Sequence, residues 1–363
     1  MGTPKKFVGA GCRHTREYGV GMKACRLLAA GVVVPAVMIV ASCSSSNRGA
    51  GEQDDGGSPV DAGPIPAPAS VDTLLTEPMG LISLAQNATD LFVTTYDDRV
   101  LRVPKSGGSS STLATVHQAN GLAADADSVY AWASVNNTAT VVRVHIADGT
   151  STAVTDGFAG RLAVDTDTLY GGPPLQAPWS VPTSGGTPTF LTTTEVSYGP
   201  MTLFVRNGFV YYEADADATS DASPNSPSLQ RVPKGGGAPQ TMATFDGTLI
   251  KGLEADDQDA YVCSDKSVFA VGLGGGAPTK LASQANCEGV VPGGRALFVG
   301  VWTATDKPHS GVFAMPKTGG PLAVYSPLSK TFLGRMLTDA SYVYWTEDDG
   351  GSNGVLLRAP LPP

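Results

Sequence analysis

Two cysteines, three histidines and a run of aspartates are the side chains beyond residue 43 with chemistry to offer. Cys263 and Cys287 can join as a disulfide or remain two thiols. His117 and His309 could each act as a general base or a metal ligand, while His145, in place of the proline of a worn repeat, is expected on the opposite face. They are widely scattered, and a shared metal would need a third ligand. The stretch EADADATSDASPNSPS, 213–228, places Asp215, Asp217 and Asp221 close together, and hard cations such as calcium take several oxygens. It lacks the turn glycine and closing glutamate of an EF-hand loop, so a solvated loop is the main reading and calcium the alternative. No Gly-x-Ser-x-Gly elbow, His-Glu-x-x-His pair or Cys-x-x-Cys motif occurs. The glycine-rich segments open no helix, so they lack the amide cradle of a phosphate loop. No cofactor is expected.

The elements that carry these residues are set by a repeated phrase. RVPKSGG at 102–108 returns as SVPTSGG (180–186), RVPKGGG (231–237) and AMPKTGG (314–320). Worn copies are RVHIADG (143–149), AVGLGGG (270–276) and RAPLPP at the C-terminus. Each is preceded by a short apolar run, a turn rich in Asp, Asn or Gly, and an aromatic marker: Phe92, Tyr130, Tyr170, Tyr211, Tyr261, Phe298 or Tyr344. A period near forty residues with several short strands per unit is the signature of a β-propeller blade. The proline ends a third strand because it has no ladder donor, and the paired glycines supply the positive φ of the hairpin into a fourth. The lysines at 105, 234 and 317 are expected to lie solvated on the rim.

Inner strands can be counted from near Met79, Ala119, Gly160, Met201, Lys251, Glu288 and Gly334, giving an all-β, seven-bladed propeller. Six or eight blades stay open because the copies at 143 and 270 are degenerate. The last repeat ends after its third strand. VDTLLTE, 71–77, is the candidate fourth strand that would close the ring and leave no open edge. Gly 44 and Pro 27 among 363 residues agree with frequent turns, and 42% hydrophobic content allows a sizeable core.

The stretch MKACRLLAAGVVVPAVMIVASC, 22–43, has the positive start, apolar run and small-residue end of an export signal. It is short for a membrane span and contains Pro35. Residues 1–42 are therefore read as a signal peptide, with Met22 as the expected true start. Val40-Ala41-Ser42-Cys43 resembles the bacterial lipobox. That likeness implies cleavage before Cys43, a lipid on its sulfur, and residence in the envelope of a Gram-negative bacterium. A plain secretory signal is the other reading. Residues 43–70 hold almost no apolar side chains and read as a flexible tether, with 71–363 forming the propeller. The formal charge is −9; without residues 1–43 the chain keeps 18 basic and 32 acidic residues, about −14. Such a surface repels phosphate backbones, so nucleic acid is not expected as a partner. An oxidising compartment favours the disulfide between Cys263 and Cys287.

Residues 71–363 resemble exported bacterial propeller proteins of the TolB, NHL and YWTD type, and Gram-negative lipoproteins with VYWT and VPK-GG repeats. Tyr344-Trp345-Thr346-Glu347 is the nearest copy of the YWTD box, with Glu in place of Asp. The resemblance implies a ligand face where the loops entering each blade meet those between its second and third strands. Tyr96, Asp97, His117, Asn120, Trp132, Tyr198, Trp302, His309, Glu347 and Asp348 are expected there. That mixture of aromatic and acidic groups suits a peptide, a glycan or another protein, bound by a monomer that touches the membrane only through its lipid. A non-enzymatic binding scaffold is the main reading. The rival is a metal-assisted lyase or hydrolase resembling virginiamycin lyase, with His117 or His309 as base. A histidine hydrogen-bonded to a carboxylate beside the central channel would favour it.

Overall fold

The computed structural model describes residues 63–157, 160–172, 177–193, 202–215, 227–245, 249–284, 286–303 and 310–363. The seven marker aromatics all lie on second strands and all are buried. Each stands opposite the inner-strand residue seven positions before it, from Ala85 facing Phe92 to Leu337 facing Tyr344. That fixed register builds seven antiparallel four-stranded sheets. Their inner strands are Leu81–Gln86, Asn120–Ala124, Arg161–Asp165, Leu203–Arg206, Ile250–Ala255, Cys287–Gly293 and Phe332–Thr338, blades one to seven. Each inner strand lies against the next, and the last lies against the first, so the sheets stand around a common axis. The described residues contain no helix.

The ring closes as a mixed blade. Asp72–Met79 pairs antiparallel with Ser352–Pro360, with Thr76 opposite Val355 and Glu77 opposite Gly354. Arg358 grips Asp72 with two nitrogens, each at 3.0 Å, and lies over the Tyr342 ring at 4.6 Å. The apolar core is not a single ball. Its buried clusters fall one to each blade junction, because both faces of every sheet are covered by a neighbour. Ile65, inside the expected tether, is only 2% exposed and packs with Trp345 and Phe298 between blades six and seven.

The repeated phrase forms the third-to-fourth-strand turn. In blade four the Gly236 N–H donates to the Pro233 carbonyl at 2.8 Å, with φ +85 at Gly236. A Cβ there would lie 3.1 Å from the Leu191 carbonyl oxygen of blade three, so glycine answers both a conformational and a packing demand. The lysines, however, are not solvated. Lys105 pairs with Asp339 at 3.2 Å, Lys317 with Asp256 at 2.8 Å, and Lys234 with Asp165. Every partner belongs to the preceding blade. Each aspartate sits five positions before the marker tyrosine. Tyr344 donates to Asp339 at 2.8 Å, Tyr261 to Asp256 at 3.0 Å, and Tyr130 to Asp125 at 2.8 Å. The expectation of rim lysines fails because the turn folds back over the neighbouring sheet, where an acid capping its own turn has one oxygen left to share.

Two junctions omit the whole device together. Phe92 and Phe298 have no hydroxyl, Asn87 and Gly293 stand in the aspartate positions, and Ile146 and Leu361 replace the lysine. These aliphatic side chains pack into the same junctions instead. At these two junctions the carboxylate and the lysine are lost together, which leaves neither charge unpaired. Elsewhere the set is partial, with Thr183 in the lysine position facing Asp125, and Arg206 and Leu273 accompanying Tyr211.

Burial alone would raise the Asp256 carboxyl. Hydrogen bonds from Lys317, the Asp259 and Gln258 amides and Tyr261 outweigh that and hold it at about 2. A depressed folded-state value makes the contribution complete above the unfolded value of about 4 and removes it as pH falls through about 2. Asp256→Asn should therefore cost about 2 kcal/mol at pH 7 by urea unfolding. The variant's stability should also fall less steeply than the wild type's between about pH 4 and 2; parallel acid limbs would refute this role. Cys263 and Cys287 are joined in the structure, Cα–Cα 5.9 Å, across the junction of blades five and six. Reduction should cost about 3 kcal/mol of unfolding free energy. Alkylation of two thiols in protein never exposed to reductant would contradict the bond.

Candidate functional site: one face and the axial channel

The expected ligand face divides on inspection. In blade one, residues 96–98 turn between the second and third strands, and Tyr96 projects from them 54% exposed. Asp97 is held by the Thr95 hydroxyl at 2.5 Å and by Arg99 Nε at 2.9 Å, contacts that keep its carboxyl below the usual range. The link to blade two brings His117 Nδ1 to 2.6 Å from Asp98 Oδ2, while Asp98 Oδ1 accepts the Gln118 amide at 2.7 Å. The histidine contact and then that amide lower the Asp98 carboxyl. The imidazole side chain of this His–carboxylate pair is 61% exposed. Neither residue lines the cavities of the channel. Asn120 turns its oxygen onto the Gly121 amide, 2.6 Å, and Trp132 opposite it packs between blades two and three.

Glu347 and Asp348 are not on the face, contrary to expectation. Glu347 is 1% exposed. Its Oε2 accepts the Ser329 amide and hydroxyl and the Lys330 amide at 2.6–3.0 Å, and its Oε1 accepts Trp345 Nε1 at 2.8 Å. The longer side chain that departs from the YWTD box thus reaches inward and holds the link between blades six and seven. Asp348 caps its own turn through the Gly350 amide at 2.6 Å. Asp349 accepts the Thr331 amide and hydroxyl, both at 3.1 Å. Tyr198, His309, Asp217, Asp221 and Cys43 lie outside the described residues; Asp215 ends the strand Phe209–Asp215.

That anchored link presents a residue the sequence reading missed. Phe332 opens the inner strand of blade seven, 38% exposed, and stacks on Trp302 at 5.3 Å between ring centres. Trp302 is itself fixed by its Nε1 donating to the Thr331 carbonyl, 2.8 Å. Between Phe332 and Tyr96 runs the glycine pair 350–351. A Cβ on Gly350 would lie 3.2 Å from the Phe332 ring, and one on Gly351 3.9 Å from the Tyr96 ring. Trp302, Phe332 and Tyr96 therefore form an arc over blades six, seven and one, with a bare backbone floor in the middle. An aromatic directly at the start of the TFLGRMLTD run was the only sequence signal for it.

The channel has two widenings. The lower, about 610 Å³, opens among the ends of the inner strands and contains Glu254, Asp256, Asp257, Asp339, Arg206 and Lys317. Its charges are tied, Arg206 to Asp257 at 2.5 Å and Lys317 to Asp256. The upper, about 190 Å³, is lined near the strand starts by Arg161, Lys251, Glu288 and Arg335, and shares Glu254 and Val291 with the lower. Charged residues in otherwise apolar inner strands were the available signal. Among the described residues no group of three His, Cys, Asp or Glu is placed to hold a metal. What the arrangement offers is aromatic contact on the face and charge in the channel.

Comparison with protein-family models and with curated proteins finds no match. Solved structures do match. The WD40 β-propeller domain of Doa1 is 12% identical with a TM-score of 0.58, covering 80% of this chain and 97% of that one. BamB from Moraxella catarrhalis is 15% identical with a TM-score of 0.50, covering 77% of this chain and 85% of that one. This chain is a β-propeller. At such identities the likeness is one of fold, and function has to be argued from the site.

Glu347→Gln leaves one acceptor for three converging donors and turns an amide N–H₂ toward the Trp345 indole. It should cost about 3 kcal/mol in urea unfolding. A loss under about 0.5 kcal/mol would show the carboxylate to be dispensable.

Proposed function

We propose that this chain is a cell-envelope lipoprotein whose propeller holds a peptide, protein or glycan against the aromatic arc of Tyr96, Phe332 and Trp302, without transforming it. Support for the address is the export-like stretch 22–43 ending in Val40-Ala41-Ser42-Cys43. A folded disc on a lipid-anchored tether would stand off the membrane with one broad face free.

The observation that carries the binding reading is the exposure of Tyr96 and Phe332 on either side of a glycine floor. Single exposed aromatics are ordinary, but neighbouring ones on a rigid mount are the usual anchors of recognition, combining a large apolar face with little rotamer entropy to lose. The mount is rigid because Glu347 and Asp349 between them fix the Ser329, Lys330 and Thr331 backbone directly before Phe332. The His117–Asp98 pair, the feature nearest to an acid–base site, stands apart from the channel and gives the lyase reading no support.

The test is a peptide and glycan array probed with the full chain, followed by affinity measurements on the variants. Tyr96→Ala and Phe332→Ala should each weaken a genuine ligand by about tenfold or more, with the fold intact by circular dichroism. An array without ligands, or ligands indifferent to both substitutions, would dispose of the arc. Separately, metabolic labelling with an alkynyl fatty acid should mark the wild type and not Cys43→Ser; equal labelling would remove the lipid anchor.

A further inference from the structure

We propose that the upper widening of the axial channel binds a small oxyanion, a single carboxylate or phosphate group, through the Arg335 guanidinium with Arg161 beside it. The site is distinct from the aromatic arc, and either can fail while the other stands.

Arg335 enters the widening from the fourth position of the strand Phe332–Thr338. Its backbone N–H is used, donating to the Thr346 hydroxyl at 3.0 Å. Its guanidinium has no hydrogen-bond or ion-pair partner among the described residues. The other cations in the same ring are matched. Arg161 donates to Glu254 at 3.0 Å and to the Leu253 carbonyl at 3.3 Å, and Lys251 pairs with Glu288 at 3.3 Å. Three cations face two carboxylates, and the Arg335 charge is the one left over. Burial first, then the nearby Arg161, push the Arg335 guanidinium down to about 9, with Glu254 opposing; it stays charged at neutral pH.

No hydrogen bond or ion pair among the described residues uses that charge. A neutral residue on this inner strand would spare it a half-buried cation beside another cation. An arriving oxyanion resolves the conflict. A guanidinium presents parallel N–H donors that match two oxygens of one carboxylate or phosphate, and removal from bulk water strengthens the contact. About 190 Å³ suits such a group, and the adjoining lower widening of about 610 Å³ leaves room for the rest of a small ligand. Glu254 and Glu288 in the same ring would repel a polyanion, which limits the group to one or two charges.

The full-length protein is titrated at pH 7 with sodium phosphate and, separately, with sodium malonate, at ionic strength held constant with chloride, and heat is recorded by isothermal calorimetry. Saturable one-to-one binding is expected for at least one probe; the tighter of the two identifies the ligand's group as phosphoryl or carboxyl. Arg335→Gln should bind at least ~30-fold more weakly, yet melt no lower than the wild type in chloride, since it deletes a charge without a partner. Arg335→Lys keeps the charge and loses the fork, and should bind ~5-fold more weakly or worse. No saturable heat with either probe overturns the site. So does a folded Arg335→Gln protein that binds as the wild type does, or, should that variant not fold, undiminished binding by Arg335→Lys.

Discussion

The covering of both faces of each sheet by its neighbours is the constraint on which this propeller depends, and at three of the seven junctions a lysine reaching backward over the preceding blade gives that packing direction. Blades are nearly self-contained sheets, and most of what joins them is non-directional burial between their faces. Such packing sets distance but constrains sliding weakly. The Tyr–Asp–Lys set supplies direction. The aspartate closes its own turn through backbone amides, its second oxygen takes the tyrosine hydroxyl of the next strand, and the lysine of the following blade completes the shell. Arginines of the same phrase reach the other way. Arg231 donates to the Leu273 carbonyl at 2.6 Å and Arg143 to the Thr183 carbonyl at 3.2 Å, each in the next blade. One short phrase therefore binds its blade on both sides.

The members of the set answer for each other electrostatically, and it is partial at two junctions: Asp125 keeps its tyrosine but faces Thr183 in the lysine position, and Tyr211 is accompanied by Arg206 and Leu273 in the other two positions. With lysine lost, the aspartate would be a partly desolvated anion; with tyrosine lost, one oxygen would lack a donor. The Phe, Asn or Gly, and aliphatic combinations at Phe92 and Phe298 replace a polar lock with packing of similar reach, the exchange by which a paired charge can give way to apolar contact at little net cost. Ring closure uses the same principle at larger scale. Arg358, in the last copy of the phrase, clamps Asp72 of the borrowed strand within its own blade and also donates to the Lys105 carbonyl of blade one, as Arg231 and Arg143 do to the blades after theirs.

A frame held in this way can support exposed or uncompensated groups elsewhere. Buried Glu347 fixes the link on which Phe332 stands, and the closed ring keeps Arg335 and Arg161 facing one another despite their repulsion. The residues most visible as candidate ligand groups, Glu347 and Asp348, turn out to be parts of the mount. Phe332 and Arg335, both on the inner strand of blade seven, carry what is presented.

Blade number, strand order, the turn chemistry of VPK-GG and the closing strand were all legible in the chain, for a physical reason. They depend on local rules: a glycine where φ must be positive, a proline where a ladder donor is absent, an aromatic recurring every forty residues because every blade needs one in the same register. The inner-strand starts read from those rules fall within two residues of the observed ones. What the chain alone left undecided is whatever one blade does to another. That Lys317 would find Asp256, sixty-one positions earlier, or that Glu347 would turn inward to the Ser329 link, depends on how two sheets face each other at a junction. Arg335 is one basic residue among 24 along the chain. Only the closed ring gathers it with Arg161 from four blades away, and only the accounting of partners among the described residues of that ring leaves it the cation without one.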